Sequence, residues 1–125
     1  MITIQEIEAG QSLSPQFTIY SDNGITPYNL SDLDNVRVWF IDNKSNSVLK
    51  KYSMNASTGH DTDHFSIVNA AQGKFKINIE SSVSALFDGV IRFEIAILDT
   101  VTGFTDWKKI TKENIFKANK NLISE

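Results

Sequence analysis

The chain has 125 residues, a formal net charge of −3 and no cysteine. That length suits one domain with its own hydrophobic core. The missing thiols exclude disulfides, thiolate metal sites and a cysteine nucleophile, and the acidic balance offers no basic footprint for nucleic acid.

Eight phenylalanines, together with many Ile and Val, lean the composition toward strand. Met1 to Glu8 alternates apolar and polar residues, with Ile2 and Ile4 on one side, and reads as a first strand. Its acids are unlike the basic-then-apolar layout of a secretion signal, so cytoplasmic synthesis is expected. Ala9 to Ser12 turns or kinks the chain, and Phe17 and Ile19 alternate in a second strand after Pro15. Asp22-Asn23-Gly24 is a tight-turn signal, because Asn-Gly tolerates the positive φ of primed hairpin turns. Ile25 to Tyr28 is expected to be a short edge segment rather than a central strand, since Pro27 has no amide to donate.

Asn29 to Asn35 is a polar loop in which Leu30 and Leu33 are expected to plug one end of the fold. In Val36 to Asp42, Val36, Val38 and Phe40 share a face, with Arg37, Trp39 and Ile41 opposite. Both faces being partly apolar predicts a strand covered on two sides. Asn43 to Asn46 is a hairpin loop. Val48 to Met54 returns as a strand whose Lys50-Lys51 pair marks an edge. Asn55 to Asp63 is the longest stretch of low hydrophobicity and is expected to be a mobile loop.

Phe65 to Val68 is a short strand; Ala70 to Gly73 turns the chain into Lys74 to Glu80, where Phe75, Ile77 and Ile79 face inward. Ser81 to Phe87 breaks the alternation. Ser82 could cap one helical turn there, folding Val83, Leu86 and Phe87 over the core. Asp88-Gly89 then opens the longest periodic segment of the chain. Ile91, Phe93, Ile95 and Ile97 point inward, and Arg92, Glu94 and Ala96 point toward water. The inward face is expected to pair with Phe75, Ile77 and Ile79 and to close against Val36, Val38 and Phe40 across the fold. Asp99 to Gly103 is a hairpin turn. Phe104 to Ile110 follows, and 111–125 is expected to be a last strand with a frayed tail, although Ile115 and Leu122 also fit a helical spacing.

About seven to nine short strands with at most one short helical turn make this an all-β protein, an immunoglobulin-like antiparallel β-sandwich. The division is a sandwich over 1–110 and a C-terminal strand or tail, potentially oligomer-docking, over 111–125. The lack of long helical patterns argues against a parallel α/β sheet. No apolar run approaches membrane-spanning length.

Catalytic chemistry is not in view. The sequence has no Gly-x-Ser-x-Gly elbow and no Gly-rich phosphate loop, so no catalytic residue and no cofactor is assigned. His60-Asp61-Thr62-Asp63-His64 is the one cluster with metal-ligand chemistry. His60 and His64 are its weak candidates, and a polar surface loop is the plainer explanation. Asn29-Leu30-Ser31, Asn43-Lys44-Ser45 and Asn55-Ala56-Ser57 match the glycosylation sequon and, without a signal peptide, are chance matches. Tyr28, Trp39, Trp107 and Phe116 are the interface candidates. Tyr28 and the two Trp could alternatively stack on sugar rings, and such aromatics more often complete a core.

The order of these signals resembles a known family. Ile7 to Ser12 precedes the Phe17/Ile19 strand; Asn29 to Asn35 leads into Val36 to Phe40; Gly73 to Ile79 follows; Gly89 to Ile95 then runs into the hairpin that reaches Gly103-Phe104. Over roughly 1–110 this is similar to the N-terminal domain of upper-baseplate proteins of tailed bacteriophages. The resemblance implies an immunoglobulin-like sandwich serving as an attachment platform in the virion, usually as a trimer or hexamer. The expected partners are other copies of the chain and neighbouring phage structural proteins, with neither nucleic acid nor membrane. No catalytic residue is implied. Two departures stand out: family members continue into a helical or coiled-coil stalk where this sequence stops at Glu125, and their central loop is shorter than Asn55 to Asp63. A carbohydrate-binding sandwich module and a head-decoration or head-fibre protein are the alternatives.

Overall fold

A computed structural model describes residues 5–20, 25–99 and 107–119. Among them are eight strands: β1 (Gln5–Glu8), β2 (Gln16–Thr18), β3 (Asn35–Asp42), β4 (Ser47–Ser53), β5 (Phe65–Asn69), β6 (Lys74–Ile77), β7 (Gly89–Leu98) and β8 (Lys108–Asn119). One helical turn, α1 (Ser81–Ser84), and 3-10 turns at Leu30–Asp32 and Ala70–Gln72 complete the described elements. The strands form a five-stranded sheet, β1-β8-β7-β3-β4, and a three-stranded sheet, β2-β6-β5. This is the strand arrangement of an immunoglobulin-like sandwich, in which consecutive strands repeatedly change sheet. The expected all-β sandwich is therefore the fold. One pairing departs from the antiparallel expectation: β1 runs parallel to β8, with Gln5 opposite Phe116 and Glu8 opposite Asn119.

The core follows from the alternation. Val36, Val38 and Phe40 on β3, Phe75 and Ile77 on β6, and Ile91, Phe93, Ile95 and Ile97 on β7 are all buried. Burying each such side chain contributes about 1.5–3 kcal/mol. Their mutual placement corrects the expected register. Val36 lies opposite Ile97, Val38 opposite Ile95 and Phe40 opposite Phe93, so β3 is the hydrogen-bonded neighbour of β7 within one sheet. β6 belongs to the other sheet, and its Phe75 and Ile77 share one core with β7. The interface between sheets is aromatic: Phe17 on β2 lies 4.8 Å from Phe93 and 6.5 Å from Phe40, centroid to centroid. Phe40, Phe87 and Phe116 pack together at 6.0–6.4 Å.

The other face of β7 is not near water either. Arg92, Glu94 and Ala96 are all buried. β7 is the middle strand of five, so both flanks are occupied. Arg92 Nε donates to Glu94 Oε2 at 3.0 Å, and its Nη1 donates to Asn43 Oδ1 at 3.2 Å. Its Nη2 donates to Asn46 Oδ1, so the β3–β4 hairpin loop closes over the guanidinium. A charge in this position is tolerated because its donors are matched.

Three further expectations change. The N-cap position of the helical turn is Glu80 rather than Ser82, with no side-chain capping hydrogen bond, and Leu86 is exposed while Val83 and Phe87 are buried. The 55–63 segment is tied down rather than loose. Asn35 Oδ1 accepts from Asn55 N at 2.8 Å, Arg37 Nε donates to Ser57 Oγ at 3.0 Å, and Ser53 N donates to Asp61 O at 3.0 Å. The boundary expected after Ile110 falls inside β8. Ile2 and Ile4 of the expected first strand, the Asp22–Gly24 turn, residues Thr100 to Gly103 of the second turn, Phe104 to Asp106 and the tail from Lys120 lie outside the described residues.

Candidate functional site

Strand order decides which surfaces are open. Among the described residues β1 and β4 end one sheet and β2 and β5 end the other. Lys50 and Lys51 on β4 protect its edge, as the sequence indicated. β5 has no such protection. It reads Phe-Ser-Ile-Val-Asn, with Ile67 and Val68 about half exposed at 52% and 47%. The register shifts between Ile67 and Asn69, so Val68 is the extra residue of a bulge. Ile67 also forms part of the wall of an open depression with Leu30, Leu33 and Met54, two of which belong to the loop expected to plug the sandwich end. An uncharged strand edge beside apolar side chains is what a second strand needs in order to dock.

The four interface candidates separate. Phe116 is 1% exposed and belongs to the core. Tyr28 is partly buried and packs against the same core. Trp39 and Trp107 stay half-buried, and each is covered on one side. The Trp39 ring meets His60 edge-on at 5.8 Å. The Arg37 guanidinium carbon lies 3.9 Å from the Trp107 ring centroid, a cation–π contact.

The two metal candidates also separate. His60 Nδ1 donates to the Thr58 carbonyl at 3.1 Å, and its Nε2 is buried without a hydrogen-bond partner. Burial lowers the His60 pKa, the Thr58 carbonyl opposes this, and the Arg37 and Lys51 charges lower it further. His64 instead meets two carboxylates. Its Nδ1 lies 2.8 Å from Asp61 Oδ2, and its Nε2 lies 3.3 Å from Glu80 Oε1. Glu80 is brought there by the end of the β6 segment, where Asn78 N donates to His64 O at 2.8 Å. Asp61 is held by its own loop: Oδ1 accepts from the amides of Asp63 at 2.8 Å and His64 at 3.2 Å. Lys50 Nζ lies 3.4 Å from Asp61 Oδ2. Burial alone would raise the Asp61 pKa, but the His64 hydrogen bonds and the Lys50 charge outweigh it and hold the carboxyl below its ordinary value.

Neither a protein-family model nor a curated protein matches the chain. No helix among the described residues is long and apolar enough to cross a membrane.

Sequence reasoning missed the β5 edge and, of the carboxylate–imidazole group, Glu80. The β5 edge was legible as a short strand without charge, yet nothing local says which short strand ends a sheet. The Asp61–His64–Glu80 group joins residues up to 19 positions apart in sequence, and only the β5–β6 pairing brings Glu80 in.

Proposed function

We propose that this chain is a non-enzymatic structural subunit of a tailed-bacteriophage virion, a baseplate, tail or adaptor component that works as an assembly platform through protein–protein contacts. The observation that carries the assembly reading is the β5 edge, half-exposed and apolar at Ile67 and Val68 and free of charged residues. A monomeric protein normally blunts such an edge with charge, proline or a bulge; β4 carries lysines, and β5 carries only the bulge at Val68. The occupant that fits is β5 of a second copy, pairing antiparallel about a two-fold axis so that each Ile67/Val68 pair covers the other. The phage setting rests on the resemblance in the order and spacing of the sequence signals alone.

The carbohydrate-binding alternative is less well supported. A sugar platform needs an open aromatic face, and the Arg37 guanidinium occupies one face of Trp107.

Two measurements test the proposal together. Light scattering coupled to size-exclusion chromatography is expected to give a mass above that of one chain. Immunodetection on purified phage particles is expected to find the chain in the virion. A strict monomer at high concentration that is absent from particles contradicts it.

A further inference from the structure

We propose that His64 and Glu80 form a binding site for a divalent first-row transition metal ion, zinc being the reference case, with Asp61 orienting the imidazole. One ligand atom from each of these three residues lies within 4.8 Å of the others. Roles within the group follow from the hydrogen bonds. Both oxygens of Asp61 are already engaged, Oδ1 by two backbone amides and Oδ2 by His64 Nδ1 at 2.8 Å. Nδ1 therefore carries a hydrogen and donates it to Asp61, the carboxylate–imidazole pairing that fixes a metal-binding histidine. In the neutral imidazole the Nε2 lone pair then faces Glu80 Oε1, 3.3 Å away. A lone pair and a carboxylate oxygen at that distance repel unless a cation stands between them. The cation is a proton or a metal. Two ligands on one tetrahedral zinc, each about 2.0–2.1 Å from it, are separated by about 3.4 Å.

A second observation favours the metal. The Tyr52 hydroxyl is buried with no hydrogen-bond partner, in a residue only 1% exposed. It borders this group: Tyr52 pairs with Asp61 through the backbone, and Lys50 Nζ, which contacts Asp61, lies 5.8 Å from the Tyr52 ring centroid. The Asp61 and Glu80 charges both bear on its phenol. The Tyr52 hydroxyl is thus a buried donor without a partner, on the strand residue that pairs with Asp61. His64 and Glu80 stay accessible from solvent, with side chains 31% and 49% exposed, so an ion can enter.

The test is a calorimetric zinc titration of the untagged chain at pH 7.5, followed in parallel by imidazole nitrogen chemical shifts. One zinc per chain is expected, shifting the His64 Nε2 resonance and leaving His60 unmoved. His64→Gln and Glu80→Gln are each expected to weaken binding at least about tenfold, Asp61→Asn about 10- to 100-fold, and His60→Gln not at all. Glu80→Gln changes a half-exposed side chain and keeps the test usable if a loop variant fails to fold. Three outcomes overturn the proposal: no binding at millimolar zinc, affinity unchanged in His64→Gln and Glu80→Gln, or a response at His60. The first of these leaves a proton alone between Nε2 and Glu80.

Discussion

Gly73 shows how one residue can be fixed by its neighbours. Its φ is 69°, in the left-handed region, and an added Cβ would fall 2.6 Å from the Ile19 carbonyl oxygen and 2.8 Å from that of Tyr28. Both neighbours are backbone and cannot swing away. Gly73→Ala is therefore expected to destabilise the fold by about 1–3 kcal/mol, read as a lower midpoint in urea denaturation. Ionisable residues give a second residue-scale expectation. Three folded-state shifts are involved, and each has a sign. His60 is lowered from 6.5, so its neutral form suits the fold; its contribution is full above 6.5 and is lost as pH falls through the lower folded value. Asp61 is lowered from 3.8; its contribution is full above 3.8 and is lost in stronger acid. Burial raises the Tyr52 phenol from 10.0, with Asp61 and Glu80 adding, so its contribution is full below 10.0 and lost as pH rises beyond it. Urea midpoints followed by tryptophan fluorescence should show this as a difference between chains. His60→Gln is expected to lose less stability than the wild type between pH 7.5 and 5. Equal losses would contradict the account of His60.

At the scale of elements, β7 is the scaffold strand that its alternation promised, and its surroundings were not legible. Periodicity reports which residues share a face, and Ile91, Phe93, Ile95 and Ile97 do share one that is buried. Periodicity does not report which strands flank it. Arg92 and Glu94 look like surface residues by type; only the central position of β7 and the Asn43/Asn46 cover make them buried. The same blindness exchanged the places of β3 and β6 around β7. Phe116 belongs to the core rather than to an interface for a related reason: β8 pairs with both β1 and β7, and no local pattern carries that pairing. Ile95→Asp places an unpaired charge in a side chain position 2% exposed, and is expected to cost at least about 3 kcal/mol or prevent folding. Ile67→Lys on the exposed β5 edge is expected to change stability by no more than about 0.5 kcal/mol, as surface substitutions generally do. A urea titration of the two variants side by side separates core strand from edge strand.

Taken whole, the molecule is two sheets closed by an aromatic core, with its open edges treated unequally. Strand content, the absence of long helices and the turn spacing were enough to read the sandwich, because short amphipathic strands have few other ways to bury one face. The candidate surfaces were not readable in the same way. An edge and a clustered group are properties of strand order, and strand order is set by long-range pairing that leaves little local trace. The molecule's proposed role depends on the β5 edge joining a second copy, and mass in solution reports that directly. The decisive measurement is sedimentation velocity on wild type and Ile67→Lys at matched, increasing concentrations. Wild type is expected to move toward a multiple of the single-chain mass while Ile67→Lys stays at one chain. A wild type that remains a single chain throughout, or an Ile67→Lys variant that associates equally well, would contradict the account.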